Sequence, residues 1–150
     1  MLFESFQCPR WQELPQLELY MDQVCFVITG AIQPLIPSEE TALTATMINN
    51  YVKIKLIAPP NKKKYGPEHV SRLIMVSLLK RILSLSEIAA VLDDLFTGRD
   101  AQAGYDLCGA VLEASLRQAE LPADCPPLLA AALQALSGKL AVEALISTKA

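Results

Sequence analysis

Two adjacent prolines, Pro59 and Pro60, sit between two helical patterns and are followed at once by Lys62, Lys63 and Lys64. No continuous helix can cross this point, because proline has no amide donor and the residue before it avoids helical angles. The chain must therefore turn here, and residues 44–81 read as helix, turn and helix. In the first of these helices Met47, Ile48, Tyr51 and Val52 fall in one narrow arc at about 100° per residue, while Thr46, Asn49, Asn50 and Lys53 centre on the opposite side. One face packs and the other is free for a partner. After the prolines the three lysines lead into Tyr65, and the economical expectation is a tight β-hairpin carrying three adjacent cations. Gly66, Pro67 and Glu68 then open a second helix running to about Leu83, with proline at the first helical position and an acid favoured by the helix dipole. Val70, Leu73, Ile74, Ser77, Leu78 and Ile82 form its broad buried face, which leaves Arg72, Lys80 and Arg81 outside.

Charge is concentrated on the same stretch. Residues 44–81 hold eight basic residues against the single acid Glu68, net +7, whereas the rest of the chain holds five basic and fifteen acidic residues, net −10. The overall charge of −3 conceals a local basic patch, and the partner should follow the patch rather than the mean.

The order of elements carries a resemblance. The helix ending Tyr51-Val52-Lys53-Ile54-Lys55-Leu56-Ile57, the prolines, the basic hairpin closing at Tyr65, Pro67-Glu68-His69-Val70 and the later Leu83-Ser84-Leu85-Ser86-Glu87-Ile88 are similar to the MerR-type winged helix-turn-helix. The chain resembles more closely an uncharacterised bacterial family of MerR-like domains of unknown function. That likeness rests on Trp11-Gln12-Glu13-Leu14-Pro15, Tyr20-Met21-Asp22-Gln23-Val24 and Met47-Ile48-Asn49-Asn50-Tyr51-Val52. It spans about the first two-thirds of the chain. It implies a mainly helical, all-α fold with a small β-hairpin wing, in which the first helix enters the major groove and the wing touches flanking phosphate. Asn49, Asn50, Lys53, Lys62, Lys63 and Lys64 would then make those contacts. Thr46, on the same helix face, and Tyr65, at the end of the hairpin, complete the candidate DNA-binding set.

Elsewhere the chain reads as a folded core with 52% hydrophobic and 19% charged residues. No run approaches the roughly 20 apolar residues of a membrane span, and the start MLFESFQCPRW lacks the basic and apolar regions of a signal peptide. A cytoplasmic protein without membrane contact is expected. Residues 17–35 describe an amphipathic helix stopped near Pro34 and Pro37, and Ser38, Glu39, Glu40 and Thr41 are suited to cap a brief turn before the first helix of the helix-turn-helix. Ser84 with Glu87 forms a capping box that starts a helix at Leu85 and finishes before Gly98. Residues 102–118 and 127–146 read as a C-terminal helical hairpin, split by Pro122 and Pro126. The expected division is a winged helix-turn-helix domain over 1–98 and a hairpin over 99–150. The hairpin's apolar stripes exceed what it alone can bury, so packing on this chain's own core and a homodimer interface are the alternatives.

Cys8, Cys25, Cys108 and Cys125 are scattered without a C-x-x-C pair, which points to buried reduced thiols and no structural metal, with a metal or redox sensor as the alternative. With one histidine, no glycine-rich phosphate loop and no nucleophile-and-base spacing, neither an enzyme nor a cofactor is indicated. Double-stranded DNA is the expected partner, asparagine matching the adjacent acceptor and donor of adenine and lysine neutralising phosphate. A protein-interaction module built on the same scaffold is the alternative.

Overall fold

The computed structural model describes residues 3–37, 40 and 43–149. Among them the regular elements are six α-helices: α1 (Met21–Ile32), α2 (Ala45–Lys53), α3 (Pro67–Leu79), α4 (Leu85–Leu95), α5 (Ala101–Arg117) and α6 (Pro127–Thr148), with short 3-10 turns at Trp11–Glu13 and Gln33–Leu35. The chain divides into two compact units, one made of residues 9–78 and the other of residues 1–8 with 79–150.

In the unit of residues 9–78, α1 buries Val24, Ile28 and Ile32 at four-residue steps. It packs against α2 and the Gln33–Leu35 turn. The helical pattern of residues 17–35 begins late because Leu19 is held in extended backbone, exchanging two 2.8 Å backbone hydrogen bonds with Tyr65. Ser38, Glu39 and Thr41 lie outside the described residues, as does the capped turn expected of them. α3 is apolar nearly all round: Val70, Leu73, Ile74, Met75, Val76, Leu78 and Leu79 are buried, with Ser71 and Ser77 between them. A helix of that composition belongs to a core rather than a surface.

The expected β-hairpin wing does not form; among the described residues there is no β-strand, only isolated bridges pairing Leu19 with Tyr65 and Asn61 with Lys64. The fold is all-helical, and the winged architecture is corrected accordingly. Hydrogen-bond supply explains the difference. Asn61 and Lys64 exchange two bonds, Asn61 N–H to the Lys64 carbonyl at 2.9 Å and Lys64 N–H to the Asn61 carbonyl at 3.0 Å, which closes a two-residue turn. The next bonded rung of an antiparallel ladder would join Pro59 to Gly66. Pro59 has no N–H to give, and the two groups left over are both taken by His69: Gly66 N–H donates to Nδ1 at 3.0 Å and Nε2 donates to the Pro59 carbonyl at 3.1 Å. An imidazole ring stands where the second rung would be, so the ladder stops after one.

In the other unit, the Ser84 and Glu87 capping box starts α4, with Glu87 N–H to Ser84 Oγ at 3.2 Å and Ser84 N–H to Glu87 Oε1 at 2.8 Å. Gly98 turns the chain at φ 76°, and Asp100 caps α5 by accepting from Ala103 N–H at 2.8 Å. A Cβ on Gly104 would sit 2.3 Å from the Phe96 ring, so only glycine lets that ring lie on α5. α6 packs on α5 and α4, burying Leu129, Ala132, Leu133, Leu136 and Leu140. Arg81 reaches α6 through a 2.6 Å ion pair with Glu143. Arg117 clasps the N-terminal arm, donating from Nε to the Glu4 carbonyl and from Nη2 to the Phe6 carbonyl, each at 2.9 Å. α6, at 22 residues, is long and apolar enough to cross a membrane by length and composition.

Candidate nucleic-acid interface

Thr44 starts α2 by accepting from Met47 N–H at 3.2 Å, the usual role of a hydroxyl N-cap. Ile48 and Tyr51 are buried, which leaves Thr46, Asn49, Asn50 and Lys53 together on the exposed side. The helix ends in a Schellman motif: Lys55 N–H bonds the Val52 carbonyl at 3.0 Å and Leu56 N–H bonds the Tyr51 carbonyl at 2.9 Å. Lys55 therefore takes the left-handed position at φ 65°. Glycine normally fills that position, since a Cβ there is strained. Arg72 Nε, on α3, donates to the Leu56 carbonyl at 2.8 Å and pins the chain as it leaves α2.

The lysine turn repeats the pattern. Lys62 and Lys63 occupy its two central positions at φ 51° and 66°, the geometry of a type I′ turn that asparagine and glycine satisfy best. Of the four non-glycine residues with positive φ among the described residues, three are these lysines. Residues 53–64 contain five lysines and no acid, and Lys53, Lys55, Lys62 and Lys63 are exposed. Lys64 is half-exposed, its ammonium 5.4 Å from the centre of the Tyr20 ring, a cation–π placement that follows from the pairing of Leu19 with Tyr65 next door.

Two kinds of residue change role. Tyr65 is 3% exposed, with its ring edge-on to His69 at 5.3 Å between centroids. It anchors the turn from inside, and the surface contact expected of it is corrected; burial also pushes its hydroxyl pKa upward, with Cys25 adding to the effect. Arg72 and Arg81, expected outside α3, are engaged within the fold, and the Arg81 side chain is 6% exposed. The patch is thus a lysine patch rather than the whole set of eight cations. Lys55, His69 and Tyr20 escaped the sequence reading as site residues, and only Lys55 left a signal, a non-glycine residue directly beyond a helix end.

The sequence model of a protein family described as a domain of unknown function, DUF1836, matches residues 9–108, two-thirds of the chain. The chain belongs to that family. The DUF1836 match takes in the whole 9–78 unit, α4 and the start of α5, so α2 and the lysine turn lie inside it. Nothing in the match links DUF1836 to MerR-type regulators. No curated protein and no solved structure matches the chain. Among the described residues of this DUF1836 protein, no three His, Cys, Asp or Glu side chains gather as a metal-ligand group.

Proposed function

We propose that this protein binds double-stranded DNA, in the manner of a transcriptional regulator, with the exposed face of α2 reading bases and the lysines at 53, 55, 62 and 63 contacting phosphate. One observation carries the reading. Lys55, Lys62 and Lys63 hold left-handed backbone positions at φ 65°, 51° and 66°, where a lysine costs about 1 kcal/mol or more relative to glycine or asparagine. A merely solvated turn gains nothing from that expense, whereas an anion-binding turn gains a cation at the tip. Asn49 and Asn50 are exposed one turn ahead of Lys53, and an asparagine amide matches the N7 and N6 pattern of adenine in the major groove.

The MerR-like element of this proposal is confined to α2. A wing of two strands is not among the described elements, so the phosphate contacts fall to a single turn rather than a ribbon. The test is fluorescence anisotropy with a labelled duplex between 50 and 200 mM salt. Binding should weaken steeply with salt, with a log–log slope of about −0.9 for each phosphate contacted. Asn49→Ala should cost roughly 1 to 3 kcal/mol on a selected site and little on random duplex, leaving the slope unchanged. Absence of duplex binding at 50 mM salt would reject the proposal in favour of a protein-interaction module.

A further inference from the structure

Helix α6 is apolar on two faces, and the chain covers one of them. Leu129, Ala132, Leu133, Leu136 and Leu140 are buried. On the far side Leu128 is 44%, Val142 54%, Leu145 55% and Ile146 65% exposed. Leu128, Ala131, Ala135, Gly138, Val142 and Leu145 follow one another at steps of three, four, three, four and three residues. That alternation keeps a seam facing a second helix along the whole length of a helix pair, here about 30 Å at 1.5 Å per residue.

Gly138 identifies the kind of partner. A glycine inside a helix costs about 1 kcal/mol relative to alanine, and within a monomer it is justified where a Cβ would clash. A Cβ built on Gly138 meets no atom of the chain within 4 Å. The room left by Gly138, next to Ala135 on the seam, suits a helix backbone approaching closely. Charge selects the partner and its direction. Glu120 and Asp124 are exposed just ahead of α6, while Lys149 is exposed at its end and Lys139 on its second half. A parallel copy would set like charges against like. An antiparallel copy sets the basic end of each helix beside the acidic approach of the other, opposes the two helix dipoles, and crosses at the small residues.

We propose that α6 is the interface of an antiparallel homodimer, two copies meeting about a two-fold axis near Ala135 and Gly138. This holds independently of DNA binding. Sedimentation equilibrium should show a dimer at micromolar concentration. Gly138→Leu should give a monomer that keeps its helical circular-dichroism spectrum, since a Cβ there meets no atom of the chain within 4 Å. Asp124→Lys and Lys149→Asp, both at exposed positions, should each weaken the dimer about fivefold, because two symmetry-related pairs are lost. The double variant should restore it by exchanging the charges. A monomeric wild type, a dimer indifferent to Gly138→Leu, or a double variant no tighter than the singles would overturn the assignment. Wild-type protein that floats as a monomer with phosphatidylcholine vesicles would overturn it too, by showing that lipid covers this face.

Discussion

Replacing Lys62 with Asn and Lys63 with Gly makes stability and binding move in opposite directions, which few surface substitutions do. Both lysines sit at positive φ in a turn closed by the Asn61 and Lys64 pair, and both replacements suit that backbone better. Relief of left-handed strain amounts to roughly 1 to 2 kcal/mol per residue. Glycine returns about 0.5 to 1 kcal/mol of that through the extra freedom of the unfolded chain. Asparagine relieves less than glycine, so the pair should stabilise the fold by about 1 kcal/mol, a rise of about 3 °C in melting temperature for a chain of this size. Two cations are lost from the tip at the same time. Each phosphate contact contributes about 0.9 to the salt slope, so the slope should flatten by about 2, and affinity near 0.15 M salt should fall roughly 20-fold. Thermal unfolding and duplex anisotropy on one protein sample read both quantities. A stabilised variant with undiminished DNA affinity would mean that the lysines are a solvated turn; a destabilised variant would mean that the turn is not strained.

Three further outcomes are expected. His69→Ala removes the ring that occupies the second rung, stranding the Gly66 N–H and the Pro59 carbonyl. It should cost about 1 to 2 kcal/mol in urea unfolding and speed exchange of the Gly66 amide. Arg81→Ala leaves Glu143 Oε2 without its 2.6 Å partner; Glu143 Oε1 is buried and already lacks a hydrogen bond, and the loss should approach 3 kcal/mol in the same assay. Burial, with Asp22 adding, raises the Cys25 thiol pKa, and burial with Asp124 raises that of Cys125. Little thiolate exists at neutral pH as a result, so both should react slowly with a disulfide reagent at pH 7 and faster as pH passes above 9. Cys8 and Cys108 are buried and should react only on unfolding; a fast thiol at pH 7 would contradict the inert reading.

Much of this arrangement is legible from residue order, and the failures have a common physical cause. Periodicity locates α2 and its two faces, and the spacing of Ser84 and Glu87 locates the start of α4, because these features depend on residues within one turn of each other. The wing fails on a long-range question. Pro59 and Pro60 show that a turn must follow, yet whether strands extend from it depends on which groups accept and donate across the gap. His69, ten residues beyond Pro59, takes both. Cation counting fails for the same reason: nothing local says that Arg72 will hold the Leu56 carbonyl or that Arg81 will find Glu143 some sixty residues away. Tyr65 reads as the tip of a basic hairpin, and only its pairing with Leu19 turns it inward. The strain at Lys62 and Lys63 is a backbone property that no composition or pattern expresses.

Amide chemical shifts of isotopically labelled protein titrated with a short duplex test the central claim most directly, because they locate the contact as well as detect it. The perturbed amides should cluster on α2 at Thr46, Asn49, Asn50 and Lys53 and along residues 55–64, and added salt should reverse the shifts. Perturbation confined to α6, or an unchanged spectrum at saturating duplex and 50 mM salt, would contradict it.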